Sequence, residues 1–253
     1  RIILTMCLRA FEYLPPVDIT FGDYLRAVIT ADYETVVSDD RRLRATMIEA
    51  FRARGVTLDG VPSLGEESVR WPRERGGLTL DSVPMDEALG INARVFDRGP
   101  RRKTWVGKSD EANRRMGEWA KSLGAYARGH AAELGLDPAL KARVEGFHTV
   151  FRISPTGQLV VELVAQLVQE DRAARTDPAY GGVKVLGGTT LVADAEGEIR
   201  YVIAKPLTEA RRRTQRELVA RCDDRDPMLP WSDEKYRRLR MRQRTFARLH
   251  RGR

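Results

Sequence analysis

From residue 147 the chain switches to a two-residue period, and that switch limits the fold more than any other feature. Phe147, Thr149, Phe151 and Ile153 alternate with His148, Val150 and Arg152. Ser154, Pro155, Thr156 and Gly157 then read as a turn, with Pro and Gly where a turn favours them. A longer strand follows over residues 159–169. It sets Leu159, Val161, Leu163, Ala165 and Leu167 on one face, and Val160, Glu162, Val164, Gln166 and Val168 on the other. Residues 183–193 and 199–204 form a second hairpin across the turn at 194–197. Four antiparallel strands with an oily face make a meander that has to be covered.

The nearest cover is a helix expected from Ser109, with Asp110 and Glu111 in its first turn, where negative charge suits the helix dipole. Met116, Trp119, Leu123, Tyr126 and Ala127 share one side of it. It is expected to end near Gly135, and Asp137 with Pro138 to restart a short helix as far as Val144. The fold class is therefore α+β: a helix packed on a four-stranded antiparallel meander. Gly181, Gly182, Gly187 and Gly188 follow neither a phosphate-loop nor a dinucleotide pattern, and read as backbone bends or a bulge.

The opening of the chain has a helical period instead. A helix over residues 2–14 cannot pass Pro15 and Pro16. Thr20 with Asp23 resembles a capping box, and Phe21, Leu25, Val28 and Ile29 form the stripe behind it. Ser38, Asp39 and Asp40 offer cap oxygens to a third helix carrying Leu43, Met47, Ala50 and Phe51, which Gly55 is placed to end. Asp32 falls in register with the oily stripe. It is expected to be locked by backbone amides or by an arginine from the third helix. Phe21, Asp32, Phe51 and Gly55 are thus structural residues, and the three helices should form one cluster.

Pro15, Pro16, Thr20, Phe21, Ala31, Asp32, Ala50, Phe51, Arg54, Gly55 and Val56 together resemble the last catalytic-domain helices of gluzincin zinc metallopeptidases, the fungalysin and thermolysin group. In that family the segment lies downstream of the zinc-binding His-Glu-x-x-His helix and of the glutamate that completes the metal site. The resemblance implies scaffold, with any zinc held in a part N-terminal to Arg1. The residues agree: His130, His148 and His250 are the only histidines, and no His-Glu-x-x-His occurs. No catalytic or metal-binding residue is assigned. Since the chain enters at once in an apolar helix, Arg1 is expected to be an internal point of a longer protein, whose N-terminal part is the first expected partner.

Four regions follow: a helical cluster over 1–58, an irregular wrapping linker over 59–107 anchored by Trp71 and Leu80, the meander domain over 108–206, and a basic helical tail over 207–253. Residues 205–253 carry 16 Lys and Arg against 7 Asp and Glu, so the remaining 28 basic and 29 acidic residues nearly cancel. Arg237, Arg240, Arg244 and Arg248 make one stripe in that tail, a candidate contact for an anionic or protein partner. The leading expectation is a non-catalytic scaffold and accessory interaction domain of a metallopeptidase-like protein. The alternative is a polyanion-binding module acting through the basic tail, and a third is strand addition at an open sheet edge. No apolar run is long enough to span a bilayer. Cys7 and Cys222 lack metal spacing and lean toward a reducing, cytoplasmic setting.

Overall fold

The computed structural model describes residues 2–36, 38–81, 105–154, 156–180 and 184–220. Helix α1 (Ile2–Arg9) tightens into a 3-10 turn (Ala10–Tyr13) before the two prolines. Leu14 is extended, with φ −94° and ψ 144°, as a residue before proline prefers. Helix α2 (Phe21–Tyr33) begins in a reciprocal capping box. Asp23 N donates to Thr20 Oγ1 at 3.1 Å, and Thr20 N donates to Asp23 Oδ2 at 2.9 Å. Leu25, Val28 and Ile29 are fully buried, whereas Phe21, in the first turn, is 44% exposed and does not belong to the core.

Helix α3 (Leu43–Arg52) is capped by Asp39, whose two oxygens accept from Leu43 N at 2.7 Å and Arg44 N at 2.9 Å. Its buried side is Arg44 and Ile48, and Met47 and Phe51 sit half-buried beside them. Gly55 closes the helix at φ +70°. Its N–H donates to Arg52 O at 2.9 Å, and Val56 N donates to Phe51 O at 3.2 Å. That left-handed closure is costly for residues bearing a Cβ. The short α4 (Glu66–Val69) adds Val69 to the core of Leu25, Ile29 and Ile48.

Residues 74–80 then follow the edge of the sheet. Glu74 N donates to Arg200 O, Leu80 N to Gly197 O and Ile199 N to Leu78 O, each at 2.8 Å. Helix α5 (Trp105–Gly129) starts ahead of Ser109 and stops short of Gly135. Residues 137–140 form a turn and not a helix. The cause is Gln169, whose Oε1 accepts from Asp137 N at 2.8 Å while its Nε2 donates to Asp137 O at 2.8 Å and Leu140 O at 2.7 Å. These backbone groups are bound to the sheet, so the strand begins earlier, at Arg143.

The sheet comprises β1 (Arg143–Ile153), β2 (Leu159–Glu170), β3 (Leu186–Ala193) and β4 (Ile199–Lys205), antiparallel throughout in the order β1-β2-β3-β4. A short helix α6 (Arg172–Thr176) follows β2, and α7 (Glu209–Ala220) follows β4. The molecule is the expected α+β arrangement of helices and meander.

Both faces of the sheet are covered. Trp119, Leu123 and Ala127 of α5, together with Leu80, pack on Leu163, Ala165, Leu167, Leu191 and Ile199. On the opposite face Val164, Val192, Tyr201 and Ile203 meet Met6, Ala10, Tyr13, Leu14, Val28 and Ala31. This accounts for a β2 that is apolar on both sides, since a strand in a middle layer has no solvent face. The register shifts lie between Val144 and Gly146 and between Val192 and Ala193, so Gly187 and Gly188 mark no bulge. Gly188 instead admits close packing by Pro16. Gly181, Gly182, Arg237, Arg240, Arg244 and Arg248 lie outside the described residues.

Candidate functional site

Where the N-terminal helices meet the sheet, the apolar layer is interrupted by charge. Glu34 stands at the end of α2 and is 5% exposed. Arg73 donates to it through Nη2 at 2.6 and 2.8 Å and through Nε at 3.1 Å, and the Tyr201 hydroxyl of β4 donates to the same carboxylate. Arg152 of β1 reaches across from the sheet. Its Nε and Nη2 form a fork on Glu162 of β2 at 2.8 and 2.7 Å, and its Nη1 donates to Glu34 O at 2.6 Å.

Burial works against the ionised form of Glu34, but the hydrogen bonds from Tyr201 and Arg73 outweigh it and hold the carboxyl below its ordinary value. Burial raises the Tyr201 hydroxyl, and its bond to Glu34 raises it further. All four carboxylate oxygens of Glu34 and Glu162 accept from an arginine. The chemistry this favours is a clamp between layers, not proton transfer between two free acids.

Glu12, on the 3-10 turn beside this network, differs. Burial and then the nearby Glu162 carboxylate push it up from 4.5 to about 7, against Arg9 and Arg152. The rings of Tyr13 and Tyr201 meet edge to face, with centroids 5.4 Å apart and planes at 85°.

A second buried pair locks the helical cluster. Arg44 Nη1 of α3 donates to Asp32 Oδ2 at 2.9 Å and to Val36 O at 3.0 Å, and Arg44 Nε lies 2.8 Å from Glu66 Oε1. Burial raises the Asp32 carboxyl, and the Arg44 hydrogen bond offsets this only in part. Of the other structural residues named from the sequence, Phe51 packs half-buried beside the α2–α3–α4 core, Gly55 ends α3 and Phe21 stays at the surface.

The clamp residues Glu34, Arg73 and Tyr201 are absent from the sequence-level candidates. The only local hint is Arg152, a cation in an otherwise apolar alternation, set diagonally across the hairpin from Glu162, which pairs with Val150.

The outer side of α1 is apolar and open. Ile3, Leu4, Leu8 and Phe11 are each more than half exposed, while Met6 and Ala10 on the inner side are buried. A groove of about 250 Å³ runs beside it, between Thr5, Met6 and Arg9 of α1 and Asp32, Thr35 and Val36 at the end of α2. Among the described residues no group of three His, Cys, Asp or Glu side chains converges to hold a metal ion, and no helix is long and apolar enough to cross a membrane. Compared with known protein families, curated proteins and solved structures, the chain matches none.

Proposed function

We propose that this chain is a non-catalytic scaffold and interaction module of a metallopeptidase-like protein. The helices up to Gly55 act as the closing part of a helical lobe, and α5 with the meander acts as an accessory domain. The observation that carries this reading is the outer face of α1. Four large apolar side chains, three on α1 and Phe11 on the 3-10 turn after it, stand more than half exposed, while Met6 and Ala10 beside them are docked. Covering the exposed part of each, a little over half of the side chain, would contribute about 1–2 kcal/mol, so the face favours a partner.

The resemblance carried by Pro15 to Val56 supports a partner of one kind: a catalytic lobe of gluzincin type, which would hold the zinc and the His-Glu-x-x-His helix. Reading the coding DNA upstream of the Arg1 codon tests this. A reading frame that continues and encodes that motif with a downstream glutamate upholds it. A start codon directly before Arg1, or an upstream region lacking the motif, removes it.

A second reading, binding of a nucleic acid or similar polyanion, is favoured by the way α7 is rooted. Arg211 pairs with Asp18 and donates to Leu186 O at 2.8 Å, and Arg212 donates to Asp171 at 2.8 Å. The first arginines of the basic region are thus used in docking. Those beyond residue 220, Arg237, Arg240, Arg244 and Arg248 among them, are the ones left to this reading as anion contacts. Retention of random duplex DNA at low salt, falling steeply as salt is added, is the expected result; no retention at low salt ends this reading.

A further inference from the structure

A groove of about 770 Å³ opens between α5, the turn leading into β1, and α6. Its rim carries Lys121 and Arg128 from α5, Lys141 and Arg143 from the approach to β1, and Arg172 from α6; all five are exposed. The two acids on the rim are already engaged. Asp171 holds Arg212 at 2.8 Å and caps α6 through Ala173 N and Ala174 N, and Glu170 faces Lys184 at 3.9 Å.

Among the described residues, Arg143 is the one of these cations that is neutralised, by Glu145 at 2.6 Å. Lys121, Arg128, Lys141 and Arg172 have neither an ion pair nor a side-chain hydrogen bond among the described residues. Four like charges around one groove repel one another, and the two carboxylates on the rim are shared with Arg212 and Lys184. An anion would relieve that repulsion.

We infer that this groove is a contact site for the sugar-phosphate backbone of a duplex nucleic acid. The inference rests on the polyanion reading above. Lys121 and Arg128 lie two helical turns apart, roughly 10 Å along α5, which exceeds the reach of one small anion and suits a ligand with charge repeated along its length.

The apolar lining of the groove is mostly alanine and glycine, together with Leu140, Val144 and Val168. Among the described residues no aromatic side chain lines it, so they offer no platform on which single-stranded bases would stack. What remains is charge and width, the terms by which a duplex backbone is held without reading its sequence.

The same α6 that supplies Arg172 is tied through Asp171 to Arg212 of α7. The groove therefore adjoins the first turn of α7.

The test uses the full chain and a fluorescent random duplex of about 20 base pairs, with anisotropy followed from about 50 to about 200 mM salt. One variant carries Lys121→Gln, Arg128→Gln, Lys141→Gln and Arg172→Gln; a second carries Arg237→Gln, Arg240→Gln, Arg244→Gln and Arg248→Gln. The groove variant should keep the parental melting temperature, bind at least about tenfold more weakly, and lose about 3–4 from the slope of log affinity against log salt. Parental affinity and slope in the groove variant, with binding lost in the tail variant, overturn the groove and leave the polyanion reading standing. No binding by the parent at low salt overturns both. Binding of an acidic helical peptide in place of duplex overturns the nucleic acid in favour of a protein partner.

Discussion

Pro16 packs directly on the backbone of Gly188: a Cβ at Gly188 would lie 2.8 Å from Pro16 Cγ and 2.4 Å from Leu167 O. The double proline that ends the first helical run is thus also the point where the N-terminal layer rests on the sheet. Thr190 Oγ1 donates to Leu14 O at 2.6 Å two residues away. Gly188→Ala must move either β2 or the proline turn, and it should cost about 1–3 kcal/mol. Urea unfolding measures this, and a loss below about 0.5 kcal/mol would show that the two layers slide freely.

Arg152 joins Glu162 of its own hairpin to the end of α2. Arg152→Met would leave a carboxylate buried without its fork of donors, and such losses run to about 3–5 kcal/mol. Adding Glu162→Leu removes the stranded acid, and the double variant should recover part of that loss. Equilibrium denaturation of both variants separates a clamp from a solvated contact, which would give two values near zero.

Core contributions in the helical cluster should follow burial and not side-chain size. Leu25 is fully buried and Leu25→Ala should cost about 2–5 kcal/mol. Phe51 is larger but half-exposed, so Phe51→Ala should cost less, below the ~3–5 kcal/mol of a fully buried phenylalanine. The reverse order in denaturant midpoints would put the centre of this cluster on α3.

Glu12 gives the fold a pH dependence of defined sign. An acid whose pKa rises from 4.5 to about 7 on folding binds more protons in the folded chain. Its contribution therefore favours the native state below about 4.5 and is lost as pH climbs to about 7. Glu12→Gln imitates the protonated acid. It should raise the melting temperature at about pH 8 and change it little at about pH 4. Equal shifts at both values would mean that Glu12 keeps an ordinary pKa.

Leu4→Lys with Leu8→Lys places charge on the open side of α1. Neither side chain is in the core, so stability should stay within about 0.5 kcal/mol of the parent, while binding of a hydrophobic dye and any self-association fall. A cooperative loss of structure would show that this face is already used within the chain.

The meander was legible because its signals are local. Alternation sets the strands, Ser154 to Gly157 and Asp194 to Gly197 set the turns, and Thr20 with Asp23 sets the start of α2. The partner of Asp32 was legible in kind, since an acid on an oily face requires a donor. The clamp was not, because its members are distant: Glu34 meets Arg73 39 residues away, Arg152 118 away and Tyr201 167 away. The turn at 137–140 escaped for the same reason, since local preference favoured a helix and Gln169, 32 residues on from Asp137, decided against it. Phe21 was misplaced because a period identifies a face but not how far along the helix the cover extends.

The strap at 74–80 has a final consequence. It pairs with residues 197–200 at the start of β4 and so obstructs strand addition on that rim, and among the described residues β1 ends the sheet on the other side. Growth by added strands could then proceed from one rim only. A second molecule arriving there brings its own obstructed rim, and the pair would halt at two, a geometry that guards a strand-rich protein against open-ended fibres.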